Sequence, residues 1–212
     1  MPETTRDTKL VQYLNEAYGK EKELETALTA HIGMTTRMPY KNRLREHLRE
    51  TKAHARGLER RIKELGGKTE ATNVVAEAGS RVTEVASRAV AAAQGPLHAL
   101  RGTGEQEKML KNAKTEYSEE HEEIATYAAI EALAEAVGDA DTAKLARAIR
   151  RDEEKMAGYL ERLIPTLAKA VSREEIPAAE RKTSTRRAST RRRTSSARKG
   201  AARRPRARTS VT

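Results

Sequence analysis

Glu21 stands where a leucine is expected. Leu10, Leu14, Ala17, Leu24 and Leu28 form one stripe at i, i+3, i+4, i+7 spacing, and Glu21 falls in its middle. The same interruption recurs in three later helical patterns. His47, Thr51 and His54 break the stripe of Leu44, Leu48, Leu58, Ile62 and Leu65. Glu120 breaks that of Leu110, Ala113, Tyr117, Ile124 and Ala128, and Asp152 and Glu153 flank that of Leu145, Ile149, Met156, Leu160 and Leu163. Burying an unpaired carboxylate is costly. Inward ionisable groups on four helices must compensate one another, and a metal ion does this most simply, because carboxylate and imidazole are its ligands.

Helical rotation sorts the candidates. At about 100° per residue, Glu21, His47, His54 and Glu120 point inward, whereas Glu50 and Glu123 lie nearer the edges of their stripes. Glu154 points away, which favours Glu153 on the fourth helix. Taken singly, each residue also has a structural reading. One inward Glu can snorkel to water, and a lone His can satisfy a neighbouring group. Glu122, Glu131 and Glu135 read as solvated or ion-paired faces. Coincidence of depth favours a site: Glu21, His47 with Glu50, Glu120 with Glu123, and Glu153 all fall near mid-helix.

Long helices are needed to hold such groups, and the composition supplies them. Ala, Leu, Glu, Lys and Arg, the strong helix formers, dominate the 212 residues. Phe and Trp are absent and Tyr numbers six, so stacking platforms for single-stranded nucleic acid are scarce. The absence of Cys excludes disulfides, thiolate metal sites and thiol nucleophiles. No apolar run approaches the roughly 20 residues of a membrane span, and Met1 to Asp7 carries no apolar signal core. A cytoplasmic protein is expected. With no strands expected, there is no Gly-rich phosphate loop after a strand, and no nucleophile sits on a strained turn.

The pattern predicts helix one over about Thr5–Ile32 and helix two over about Pro39–Leu65, the latter stopped by Gly66-Gly67. A shorter helix is predicted within Ala71–Gln94. Helix three follows over about Glu105–Val137 and helix four over about Asp139–Val171, with Pro165 as a kink or early end. Short links after helices one and three imply two antiparallel hairpins. The segment of about 40 residues between them is long for a plain loop and can run the length of a bundle. Two hairpins joined by one long crossover is ferritin-like connectivity. The expected fold is all-α: a ferritin-like antiparallel four-helix bundle over 1–172, with one long crossover containing an extra helix, and then a disordered basic tail over 173–212.

Four segments carry a family resemblance. Tyr18-Gly19-Lys20-Glu21-Lys22, Glu46-His47-Leu48-Arg49-Glu50-Thr51, Glu120-His121-Glu122-Glu123-Ile124-Ala125-Thr126-Tyr127 and Glu153-Glu154-Lys155 occur in the order and spacing of the helix motifs of the YciE/YciF group. That group comprises bacterial ferritin-like proteins associated with stress responses. The resemblance covers about Leu10 to Ala170. It implies a di-metal carboxylate site between the helices, holding iron or manganese. Carried over, Glu21 would be the ligand of helix one. Glu50 would be the carboxylate of helix two, with His47 or His54 beside it. Glu120 and Glu123 would come from helix three, and Glu153 or Glu154 from helix four. The chain departs from the Glu-x-x-His pairs usual in ferritin-like di-iron sites: three residues after Glu50 stands Ala53, and after Glu153 stands Met156. One ion or two remain open. A redox-active site would be of the di-metal oxidase or peroxide-consuming type, oxidising Fe(II), with Tyr18, Tyr117 or Tyr127 as nearby redox-capable side chains.

The net charge of +11 is a property of the tail. From Arg181 onward there are thirteen Lys and Arg and no Asp or Glu, so without them the +11 becomes −2. Arg186, Arg187, Arg191, Arg192, Arg193, Arg198, Lys199, Arg203, Arg204, Arg206 and Arg208 are spaced by small polar residues. Such clusters suit non-specific binding to DNA phosphates through counterion release. A merely solubilising tail is the competing reading, and no apolar anchor for a membrane lies beside the cluster. Arg186-Arg187-Ala188-Ser189 and Arg191-Arg192-Arg193-Thr194 look like basophilic kinase sites, where phosphate would cut the positive charge. Two functions from different classes follow. One is a metal-binding stress protein, a homodimer held near nucleic acid by its tail. The other is a nucleoid-associated architectural protein whose bundle is a dimerisation body without a functional metal site.

Overall fold

The computed structural model of the chain describes residues 4–69 and 104–181. Among them the chain forms four α-helices and no strand: α1 (Thr5–Met34), α2 (Met38–Glu64), α3 (Glu105–Ala136) and α4 (Ala140–Glu175). The helix expected within Ala71–Gln94 and the basic tail from Lys182 lie outside the described residues. The chain divides into two units after Val171. No described helix is long and apolar enough to cross a membrane.

Local chemistry sets the helix ends. Thr4 caps α1, its hydroxyl accepting from the Asp7 amide at 3.1 Å while donating to the Asp7 carboxylate at 2.7 Å. Pro39 sits in the first turn of α2, where a missing N–H costs nothing. Gly66 and Gly138 end α2 and α3 in the left-handed region, at φ 75° and 74°. The early end expected as one alternative at Pro165 does not occur, because α4 runs on to Glu175. Pro165 lies on the exposed face, and the buried Leu163 and Leu167 hold the turns around it against the core. The one backbone bond the ring removes is open to water on that side.

Cross-helix pairs fix the directions. Lys20 meets Glu122, while His31, further along α1, meets Glu116, earlier on α3. His54 of α2 meets Asp152 of α4, and Arg61 meets Thr142. These pairs make α1 antiparallel to α3 and α2 antiparallel to α4. The close α1–α2 hairpin places Gly67 against Val11, where a Cβ would lie 2.7 Å from the valine side chain. Consequently α2 and α3 run parallel, and the chain between them joins opposite ends of the bundle. This is the ferritin-like connectivity expected.

The core is divided. One apolar cluster gathers Leu10, Leu14, Leu58, Ile62, Ile130 and Ile149 toward one end. A second gathers Leu28, Leu44, Met109, Met156, Leu160 and Leu167 toward the other. Glu21, His47, His54, Glu120, Glu123 and Glu153 lie between these two plugs.

At the α3–α4 corner, the Asp139 carboxylate accepts the Thr142 amide at 2.9 Å and takes both oxygens to Arg61, at 2.9 and 2.7 Å. Burial works against its charge, but the Thr142 amide and Arg61 outweigh it and hold its pKa below the ordinary range. A depressed folded pKa stabilises above the unfolded pKa, and the contribution is lost as pH falls through the folded value. Asp139→Ala is expected to cost about 2–3 kcal/mol at neutral pH. The gap from wild type should begin to narrow below about pH 4 and continue to narrow as pH falls through the lower folded value. Urea midpoints across that range measure both.

A candidate metal centre between the helices

The inner row of α3 is Met109, Ala113, Glu116, Glu120, Glu123, Tyr127, Ile130 and Ala134, at alternating steps of four and three. Glu123 therefore lies at the middle of the buried face, not at its edge, with 4% exposure. Tyr117 and Leu110 flank the row and are partly buried. From α1 comes Glu21, from α2 His47 and His54, and from α4 Glu153. Glu21, His47, Glu120 and Glu153 have no exposed surface, and His54 has 7%.

These side chains form two triads that share Glu153. His47 Nε2 lies 2.9 Å from Glu120 Oε1 and 3.5 Å from Glu153 Oε2. His54 Nδ1 lies 2.9 Å from Glu153 Oε1 and 3.5 Å from Glu21 Oε1. Within each triad the donor atoms lie within 4.8 Å of one another. Glu153 thus presents one oxygen to each histidine. The two imidazoles come from a single helix, seven residues apart, which replaces the Glu-x-x-His pairs of two helices.

Each ring is held from behind. His47 Nδ1 faces Glu50 at 3.2 Å, and Arg43 fixes that carboxylate at 3.0 Å. His54 Nε2 faces Asp152 at 3.4 Å, and Lys155 fixes that carboxylate at 2.7 Å. An N–H donated outward leaves the other nitrogen's lone pair turned inward. Glu50 is thereby placed outside both triads, with a quarter of its side chain exposed. His47 and Arg43 pull its pKa down to about 2 against burial. Tyr127, also buried, donates its hydroxyl to Glu21 Oε1, leaving Oε2 without a partner.

The electrostatics oppose an empty, fully charged centre. Burial pushes the Glu21, Glu120 and Glu123 carboxyls upward, and Glu153 beside all three adds to the shift. Burial also disfavours the charged histidines, but the carboxylates outweigh it. Glu120 and Glu50 hold His47 well above its ordinary value, and Glu153 and Glu21 hold His54 up at about 10. Both oxygens of Glu120, Glu123 and Glu153 lack hydrogen-bond partners, as do His47 Nε2 and His54 Nδ1. The short nitrogen–oxygen approaches are convergences of donor atoms without hydrogen-bond geometry.

Residues 5–172 match a family described as a domain of unknown function, DUF892. The chain belongs to this family. Three solved structures share the fold with this DUF892 chain. A Xanthomonas campestris protein is 24% identical, with a TM-score of 0.62, covering 81% of this chain and 100% of its own. The E. coli stress protein YciF is 21% identical at a TM-score of 0.59, covering 78% and 98%. YcfI from Rhodopseudomonas palustris is 21% identical at a TM-score of 0.55, covering 74% and 94%. Comparison with curated proteins finds no match.

Two buried groups of this DUF892 chain escaped the sequence pattern. His31 and Glu116 pair inside the second apolar cluster, hydrogen bonded and almost without exposure. Glu119 is held up at about 7 by burial and by Glu116. The signal was present: His31 follows Leu28 by three residues and Glu116 follows Ala113 by three, so both continue inward rows. The acids read as surface pairs are so placed. Glu122 meets Lys20, Glu131 meets Arg147 and Arg150, and Glu135 meets Arg147. Tyr18 and Tyr117 pack against the two apolar clusters, and Tyr127 alone of the three touches a triad carboxylate. The candidate nucleic-acid residues, Arg186 to Arg208, lie outside the described residues.

Proposed function

We propose that this chain is a ferritin-like metal-binding protein. Its centre takes two divalent first-row ions, iron or manganese, and its basic tail holds it on nucleic acid. One observation carries the reading: buried carboxylates and imidazoles from all four helices converge, and most of their donor atoms have no hydrogen-bond partner. Four carboxylates and two imidazoles in an apolar enclosure leave excess negative charge, which a divalent cation neutralises. Oxygen and nitrogen donors with no thiolate suit manganese and iron. The fit therefore holds for a metal pair. Glu21 and His54 would hold one ion, Glu120 and His47 the other, and Glu153 would serve both. Glu123, buried among Glu21, Glu120 and Glu153, would add a further negative charge for the ions to neutralise.

Iron bound there would supply oxidation of Fe(II) by oxygen or peroxide. The chain's own residues do the rest. Glu50 and Asp152 orient the rings, Tyr127 selects which oxygen of Glu21 is free, and the two apolar plugs exclude water. The name of YciF, a stress protein, accords with a role of this kind.

Metal analysis of protein purified without chelator tests the proposal. About two ions per chain are expected, and few in Glu153→Ala. Protein that is metal-free and takes up neither metal at millimolar concentration would favour the architectural reading. A second expectation concerns the groups behind the rings. Glu50→Ala removes the acceptor of His47 Nδ1–H and leaves every triad side chain in place. It should weaken metal affinity about 10- to 100-fold, measured by chelator competition.

A further inference from the structure

Net charge hides how the body of the chain is arranged. Outside the tail the formal sum is slightly negative, yet Glu21, Glu116, Glu120, Glu123 and Glu153 are buried. The charge left outside the core is correspondingly more positive. It gathers on α2, which carries nine Lys and Arg against four Glu.

Arg45, Arg49, Lys52, Arg56, Arg60 and Lys63 are all exposed. Their steps of four, three, four, four and three keep them within an arc of about 80° on one helix face. The row is about 27 Å long, the axial length of roughly eight base pairs. Its ends are partly engaged: Arg60 approaches Glu64 at 3.8 Å and Lys63 pairs with Glu59. Among the described residues no carboxylate pairs with Arg49, Lys52 or Arg56 at its centre. The exposed large apolar side chains of the described residues are Met38 and Ile176; Met38 stands in line with the row, two turns before Arg45, and Ile176 lies beyond α4.

We infer that this face of α2 binds the phosphate backbone of duplex DNA, independently of the tail. A row of cations with about one member per turn, unpaired at its centre, suits a regular line of phosphates. The guanidinium groups can fork onto phosphate oxygens and the lysine adds a point charge. A single methionine at one end is not the continuous apolar face that a membrane-surface helix needs. Contacts to phosphate carry no base information, so binding through this row is insensitive to sequence.

The test uses the full chain and two unrelated labelled duplexes of about 20 base pairs, titrated from about 50 to 300 mM salt. Two variants are compared with wild type: Arg49→Gln/Lys52→Gln/Arg56→Gln on α2, and Arg191→Gln/Arg192→Gln/Arg193→Gln in the tail. The α2 variant is expected to lower the slope of log affinity against log salt by about 2–3, with at least about tenfold weaker binding at 100 mM. Arg49→Lys/Arg56→Lys should keep the wild-type slope. If the α2 triple variant melts early, the single changes carry the test, each lowering the slope by about 0.9. An unchanged slope in the α2 variants overturns the inference, whatever the tail variant does. A changed slope in the tail variant alone would leave the tail reading standing without this one. Loss of binding to anionic phospholipid vesicles, with the DNA slope intact, would assign the face to membranes and overturn it as well.

Discussion

Mn(II), or Fe(II) without oxygen, is expected to raise the melting temperature of the full chain by about 5–10 °C. A ligand at a hundred times its dissociation constant adds about 2.7 kcal/mol of stability by mass action. For a domain of this size that converts at about 2–4 °C per kcal/mol. The shift requires ions that bind the folded bundle and not the unfolded chain. The triads satisfy this, because their donors come from helices distant in sequence. Their shared residue makes the variants informative. Glu153 faces both histidines, so Glu153→Ala should abolish the shift. Glu21→Ala and Glu120→Ala each remove one triad's private carboxylate. Each should keep part of the shift, and the double variant none. If Glu153→Ala melts like wild type with and without metal, the two-ion arrangement is wrong. A full shift in the Glu21→Ala/Glu120→Ala protein would place the ions elsewhere.

Much of this was legible in the sequence, and the reason is periodicity. Leu10, Leu14, Leu24 and Leu28 fix one face of α1 so firmly that Glu21 can only point inward. His47 and His54 are read the same way on α2. Helix α3 was harder. A stripe drawn through Leu110, Tyr117 and Ile124 is offset by about one residue from the buried row, because four members of that row are Glu or Tyr. Hydrophobicity cannot find a face whose centre is carboxylate. Glu123 therefore looked marginal and Glu116 went unread. The orientation of Glu50 toward Arg43 was equally hidden, since an i, i+7 pair is one of many that a charged helix offers. At Pro165 propensity marks an end as one alternative, but the helix continues there, with the exposed proline between buried leucines.

Glu123→Leu is expected to stabilise the metal-free protein by about 1–3 kcal/mol. Glu123 is buried with neither oxygen hydrogen bonded. Burial, then Glu21, Glu153 and Glu120, raise its pKa. Leucine is of similar size, needs no partner and leaves none behind. The melting temperature without metal should rise by about 2–12 °C. Glu21→Leu is the contrasting change, although it too removes a buried acid. It strips the Tyr127 hydroxyl of its acceptor and His54 of a neighbouring charge. The orphaned groups cost about 1–3 kcal/mol, so this variant should gain nothing or lose. The pair separates two causes of buried acidity: Glu21 is held by a network, whereas Glu123 faces other carboxylates and only a cation would reward it. Thermal melts in chelator, with both variants beside wild type, read the difference. A clear loss of stability in Glu123→Leu would mean that its carboxylate has a structural partner in the folded chain, and would remove it from the metal centre.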